Sequence, residues 1–350
     1  MSSDAAPDTS SIPLLTQPGP PPLFLCIFIH GFKGTDSTFG RFPERLQHIL
    51  AETIKDAKVE CVVFPAYETK GELNAAVEKF ADWLCNLTVE REVAHGAGGG
   101  AGKAKIVLAG HSMGGLLAVD TLLALYKSRV DETAPLWPNI IACIAYDTPY
   151  LGLHPNVFKK QAEQAISYAT DVAKSFGFFN AASQKATSST ALVPAQTAAK
   201  PGANGWARWA PAVGGALLAA GAAGAAYYRR DDLASGWQWG NDHLKYVGTL
   251  WDENALRARL DGLARTGVRF RNFYTILDAG DRTFCVLPKR GSRDALLWEP
   301  TRNRLAQDEV GAHVSMFNPK ENDGYYDLGL RTAHIVREAM LAQSAQDSLQ

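Results

Sequence analysis

Short apolar runs separated by amphipathic stretches constrain the fold of this chain more than any other feature. LFLCIFI (23–29), VECVVF (59–64), KIVLAG (105–110), IIACIAY (140–146) and FYTIL (273–277) each have the length of a strand and few polar residues. A strand with one face in water alternates, whereas a continuous apolar run is buried on both faces. Helix-like segments near 41–56, 72–93 and 113–128 fall between these runs, so strand and helix alternate through the first half. The pattern predicts a mostly parallel central sheet with helices on both faces. Hydrophobic residues make up 46% of the chain, charged residues 20%, and the formal net charge is -1. That balance supports a large core and offers no basic surface for nucleic acid. Cys26, Cys61, Cys85, Cys143 and Cys285 lack CxxC or Cys/His spacing, so they read as buried thiols in a reducing compartment.

Composition divides the rest. Residues 1–22 begin with Asp4 and Asp8, carry no basic residue and run through Pro18, Pro20, Pro21 and Pro22, which reads as a leader rather than a secretory signal. The chain is accordingly expected to be intracellular, cytoplasmic or peripheral to a membrane. Residues 181–206 are rich in Ala, Ser, Thr, Gln and Pro with little periodicity. Residues 210–228 are uncharged and Ala/Gly-dominated, closed by Arg229 and Arg230, and just long enough to span a bilayer. Trp206, Trp209, Trp237 and Trp239 flank them, as at a membrane interface. A lone crossing would separate Ser112 from residues after 270, which leaves a hairpin, an interfacial insertion or a lid. The expected organisation is one catalytic domain over 23–152 and 240–343, with 153–239 inserted as a lid or membrane-contacting segment.

The chemistry centres on Gly110-His111-Ser112-Met113-Gly114-Gly115. With 31 glycines in the chain the bare G-x-S-x-G pattern is weak, but here it joins a buried strand to an amphipathic helix. A nucleophilic serine on such a turn needs small neighbours, because Gly110 and Gly114 face each other where any Cβ would clash. The N–H of Met113, at the start of the helix, is placed to stabilise an oxyanion. His30-Gly31-Phe32 follows the first strand, and the N–H of Phe32 is the candidate second donor. His30 and His111 read as structural residues.

A serine hydroxyl needs a base, and the base needs a carboxylate to set its tautomer. The chain order for this turn is serine, acid, histidine. Asp281 in the loop 278–284 is the first candidate acid and Asp278 the second; Asp147, ending the strand before Thr148-Pro149, is the third. Of the later histidines, His243 precedes the acid loop and His334 lies in the apolar-periodic helix 328–341. His313, among small residues between them, is the candidate base.

HGF after the first strand, GHSMGG and TPYLG (148–152) together resemble the lipase-like putative serine esterases of the α/β-hydrolase superfamily, over about 23–152 and 240–340. The resemblance implies an α/β-hydrolase fold, a Ser-Asp-His triad, and hydrolysis of carboxylic, acyl or lipid esters; the long insertion, expected after the sixth strand, is where this chain departs from it. Gly96 to Gly102 does not make a phosphate loop, since it precedes its strand and has Ala104 where Ser or Thr is required. No motif calls for a metal or cofactor. Acyl transfer to another acceptor, and a membrane-associated scaffold without turnover, are the competing expectations.

Overall fold

The computed structural model describes residues 21–55, 57–67, 73–96, 102–157, 250, 252–277 and 282–347. Most of the leader, residues 97–101 of the glycine-rich connector, His243, Asp278, Asp281 and the segment 158–249 with its Ala/Gly run and flanking tryptophans lie outside them. Along the described chain run β1 (Leu23–Ile29), α1 (Phe42–Thr53), β2 (Lys58–Val63), α2 (Leu73–Ala94), β3 (Ala104–His111), α3 (Met113–Lys127) and β4 (Ile140–Tyr146). After the insertion come α4 (Glu253–Thr266), β5 (Arg269–Ile276), β6 (Trp298–Arg302), α5 (Glu309–Val314) and α6 (Tyr325–Asp347).

The six strands pair in parallel in the order β2-β1-β3-β4-β5-β6. Strand burial follows that order. The central β1, β3 and β4 are buried at every position, while β2 and β6 at the two ends expose part of theirs. Two-residue alternation then divides the core into two layers. Leu23, Leu25, Ile27 and Ile29 face a layer shared with Phe80 and Leu84 of α2, Leu116 of α3 and Leu256 of α4. Phe24, Cys26 and Phe28 face the other, shared with Phe42 and Leu46 of α1 and Leu328 and Val336 of α6. The fold is an α/β fold in which a wholly parallel six-stranded sheet is covered by helices on both faces.

Three details differ from the sequence reading. β5 begins at Arg269 because its start alternates half-buried arginines with Phe270 and Asn272, a pattern that a search for continuous apolar runs passes over. β6, WEPTR, was not anticipated, since as an end strand it needs little apolar surface. The insertion follows the fourth strand in chain order among the described residues, two fewer than the count expected. All five cysteines are free thiols; Cys26, Cys143 and Cys285 are buried and Cys61 and Cys85 partly so. Among the described residues no helix is long and apolar enough to cross a membrane.

Candidate active site

β1 and β3 are neighbours whose chain connections leave toward opposite edges of the sheet, and a parallel sheet leaves a crevice at the carboxyl ends of such a pair. Ser112 stands there, between the last residue of β3 and the first of α3. Its backbone is left-handed, with φ 55° and ψ -129°, a conformation that costs a non-glycine residue about 1–3 kcal/mol and is kept only where the surroundings enforce it. They do so through close approach. A Cβ on Gly110 would lie 2.5 Å from the backbone of Gly114, and one on Gly114 would lie 2.1 Å from the Ile29 carbonyl oxygen. Gly115 is constrained as tightly, with Thr148 Oγ1 2.1 Å from where its Cβ would be. Thr148 Oγ1 donates to the Ser112 carbonyl (2.8 Å), Tyr150 Oη donates to the Gly115 carbonyl (2.7 Å), and Ser112 N donates to Tyr146 O (2.9 Å). The turn is thus tied to the end of β4 at three points.

The loop after β1 lies directly against the serine. A Cβ on Gly31 would meet Ser112 Cβ at 2.7 Å and Met113 N at 3.1 Å, so only glycine fits between the strand and Ser112. Phe32 follows, packed on the core with Lys33 Nζ 5.4 Å from its ring centroid. His30 is buried, its ring 4.6 Å from that of Tyr67, whose hydroxyl donates to the His30 carbonyl (2.9 Å). Burial holds the His30 pKa below its ordinary value, and the ring serves to anchor the loop.

His313 occupies the next-to-last position of α5, its ring stacked between His111 (centroids 4.5 Å) and Phe284 (3.6 Å). His111 Nε2–H donates to the His313 carbonyl oxygen at 3.2 Å. Full burial, and then the nearby imidazole of His313, hold the His111 pKa well below the ordinary value, so His111 is neutral. His313 Nδ1 lies 2.9 Å from Asp147 Oδ2. A carboxylate only accepts, so Nδ1 carries the proton and Nε2 keeps the lone pair a general base requires.

Asp147, directly after β4, is fully buried with a left-handed φ of 51°. Its carboxylate accepts from Thr275 N (3.0 Å, Oδ1), Thr275 Oγ1 (2.7 Å, Oδ2) and His313, with Cys285 Sγ 3.8 Å from Oδ1. The sequence ranked Asp281 first, Asp278 second and Asp147 third. The carboxylate on His313 belongs to Asp147, and Asp278 and Asp281 lie outside the described residues. The sheet supplies the physical reason. His313 packs on His111 of β3, and the strand next to β3 is β4, with β5 one place further away. A signal was present in the sequence: an aspartate ending a wholly apolar strand will be buried, and a buried carboxylate must have donors.

Residues 21–180 match the family described as Putative serine esterase (DUF676). A search of curated proteins gave no match. Among solved structures, a phospholipase from Legionella pneumophila is 14% identical, with 37% of this chain and 26% of that one covered and a TM-score of 0.29. This chain therefore spans about a quarter of the length of that phospholipase. A carboxylesterase structure from the thaumarchaeon Nitrososphaera gargenis is 11% identical over 90% of this chain and 92% of the other, TM-score 0.39. Proline iminopeptidase from Mycobacterium smegmatis is 11% identical over 92% and 91%, TM-score 0.37.

Proposed function

We propose that this chain, an α/β-hydrolase by fold whose residues 21–180 match the serine esterase model, cleaves carboxylic esters through an acyl-serine intermediate. The observation that carries the reading is the strained Ser112 turn, whose preceding residue His111 stacks on His313, together with a His313–Asp147 pair whose tautomer leaves Nε2 with its lone pair.

His313 Nε2 takes the proton as Ser112 Oγ attacks the ester carbonyl, and Asp147 stabilises the imidazolium that results. The tetrahedral oxygen is held by the N–H groups of Met113, at the amino end of α3, and of Phe32, on the loop braced by Gly31; each such donor is worth about 10²–10³ in rate. His313 returns the proton to the leaving alcohol. Water, activated by the same nitrogen, then releases the acid.

The test is labelling with a fluorophosphonate probe together with hydrolysis of p-nitrophenyl esters from short to long acyl chains. Wild type labels and Ser112→Ala does not, and the chain-length profile separates an esterase from a lipase. Folded wild type that neither labels nor turns over would establish a scaffold that keeps the fold without the reaction. Product analysis with an added alcohol distinguishes hydrolysis from acyl transfer.

A further inference from the structure

The geometry points to Thr275 as a positioning residue for this reaction, clamping the carboxylate of Asp147 in the plane that His313 requires. The inference rests on the roles proposed above for Ser112, His313 and Asp147.

Thr275 is the next-to-last residue of β5 and 1% exposed. It reaches across to the end of β4 with two donors, its N–H to Asp147 Oδ1 and its hydroxyl to Oδ2. One residue therefore serves both oxygens. The terminal torsion of an aspartate is soft, so a carboxylate held at a single point swings freely. Held at two, it presents Oδ2 to His313 Nδ1 in one orientation. Cys285 Sγ, 3.8 Å from Oδ1, is too distant and too weak a donor to substitute.

Threonine is also a good strand former, which would account for its presence without any part in the reaction. Strand preference explains the branched Cβ, however, and not a hydroxyl aimed at a buried carboxylate just past the end of the neighbouring strand. Valine has the same shape and strand preference, so it separates the two explanations.

Steady-state hydrolysis of p-nitrophenyl butyrate by the full chain provides the measurement, with thermal unfolding followed in parallel. Thr275→Val is expected to lower kcat about tenfold, equivalent to ~1.4 kcal/mol in the barrier, with KM unchanged. Thr275→Ser, which restores the hydroxyl, returns kcat to within about twofold of wild type, as a charge-assisted hydrogen bond regained should. A valine variant with wild-type kcat overturns the proposal, as does a serine variant as slow as the valine one. Should the valine variant not fold, Thr275→Ala and Thr275→Ser differ by a single oxygen, and equal kcat in that pair overturns it too. Asp147→Asn is run alongside. Wild-type turnover in that variant removes Asp147 from the reaction and takes the broader reading with it; a loss in Asp147→Asn without one in Thr275→Val removes only the clamp.

Discussion

At Gly114 a single added methyl group would penetrate the Ile29 carbonyl oxygen, which belongs to a central strand and cannot step aside. Gly114→Ala is therefore expected to destabilise the protein by ~3 kcal/mol or more, measured by urea denaturation. Histidine burial leads to a pH prediction. His111 and His30 have pKa values lowered in the folded state, so folding excludes protons that the unfolded chain would take up. Their contribution is complete above the ordinary histidine value and is lost as pH falls below it, at up to ~1.4 kcal/mol per pH unit for each group. The urea midpoint should drop between pH 7 and 5, and His111→Gln should flatten that slope; an unaltered slope would show that His111 is not its source. At this scale local spacing and chain position led to the serine turn and to His313, and the structure has the turn at the carboxyl end of β3 and His313 on Asp147. The sequence ranked the acids by loop context after the strand-like run 272–277, since all three candidates satisfy the serine-acid-histidine order, whereas the partner of His313 is decided by which strand end lies beside β3, a matter of sheet neighbours that spacing does not encode.

Among elements, the end strand β6 depends on a helix for its outer support. Pro300 in its middle has no N–H to offer, and Arg331 of α6 donates to the Pro300 carbonyl (2.6 Å) while pairing with Glu299 (2.5 Å). Arg331→Met should leave a carbonyl and a carboxylate without this partner, lowering stability by about 1–2 kcal/mol and speeding amide exchange in β6 more than in β3. Exchange that rises equally in both strands would mean that the arginine braces the whole sheet. The same element shows where strands are legible. β1, β3 and β4 lie between neighbours and need apolar residues throughout, so their runs stand out in the sequence. β6 has a neighbour on one side only among the described residues and tolerates Glu299, Pro300 and Arg302. The fold class was readable from three buried strands, but the sheet's full width was not.

For the whole molecule, α6 closes one of the two core layers, with Tyr325, Leu328, Val336 and Met340 all at most 3% exposed. Each buried side chain of this kind contributes about 1.5–3 kcal/mol, so together they rival the 5–15 kcal/mol of a typical domain. Removal of residues 325–350 should abolish the cooperative urea transition, and a truncated chain that still unfolds sharply would show that the second layer is dispensable. The placement of the four residues proposed to act together has a different kind of consequence. Ser112 and Asp147 precede the segment 158–249, and Thr275 and His313 follow it. A break anywhere in that segment yields one fragment with β1 to β4, holding Ser112 and Asp147, the proposed nucleophile and acid, and another with β5 and β6, holding His313 and Thr275, the proposed base and clamp. Only pairing of β4 with β5, in the register Ala142 to Arg269 through Tyr146 to Phe273, brings the four together. Attached to two proteins that bind each other, the fragments are expected, on the proposed reaction, to act as a proximity reporter, silent while apart and releasing a chromogenic alcohol when their carriers meet.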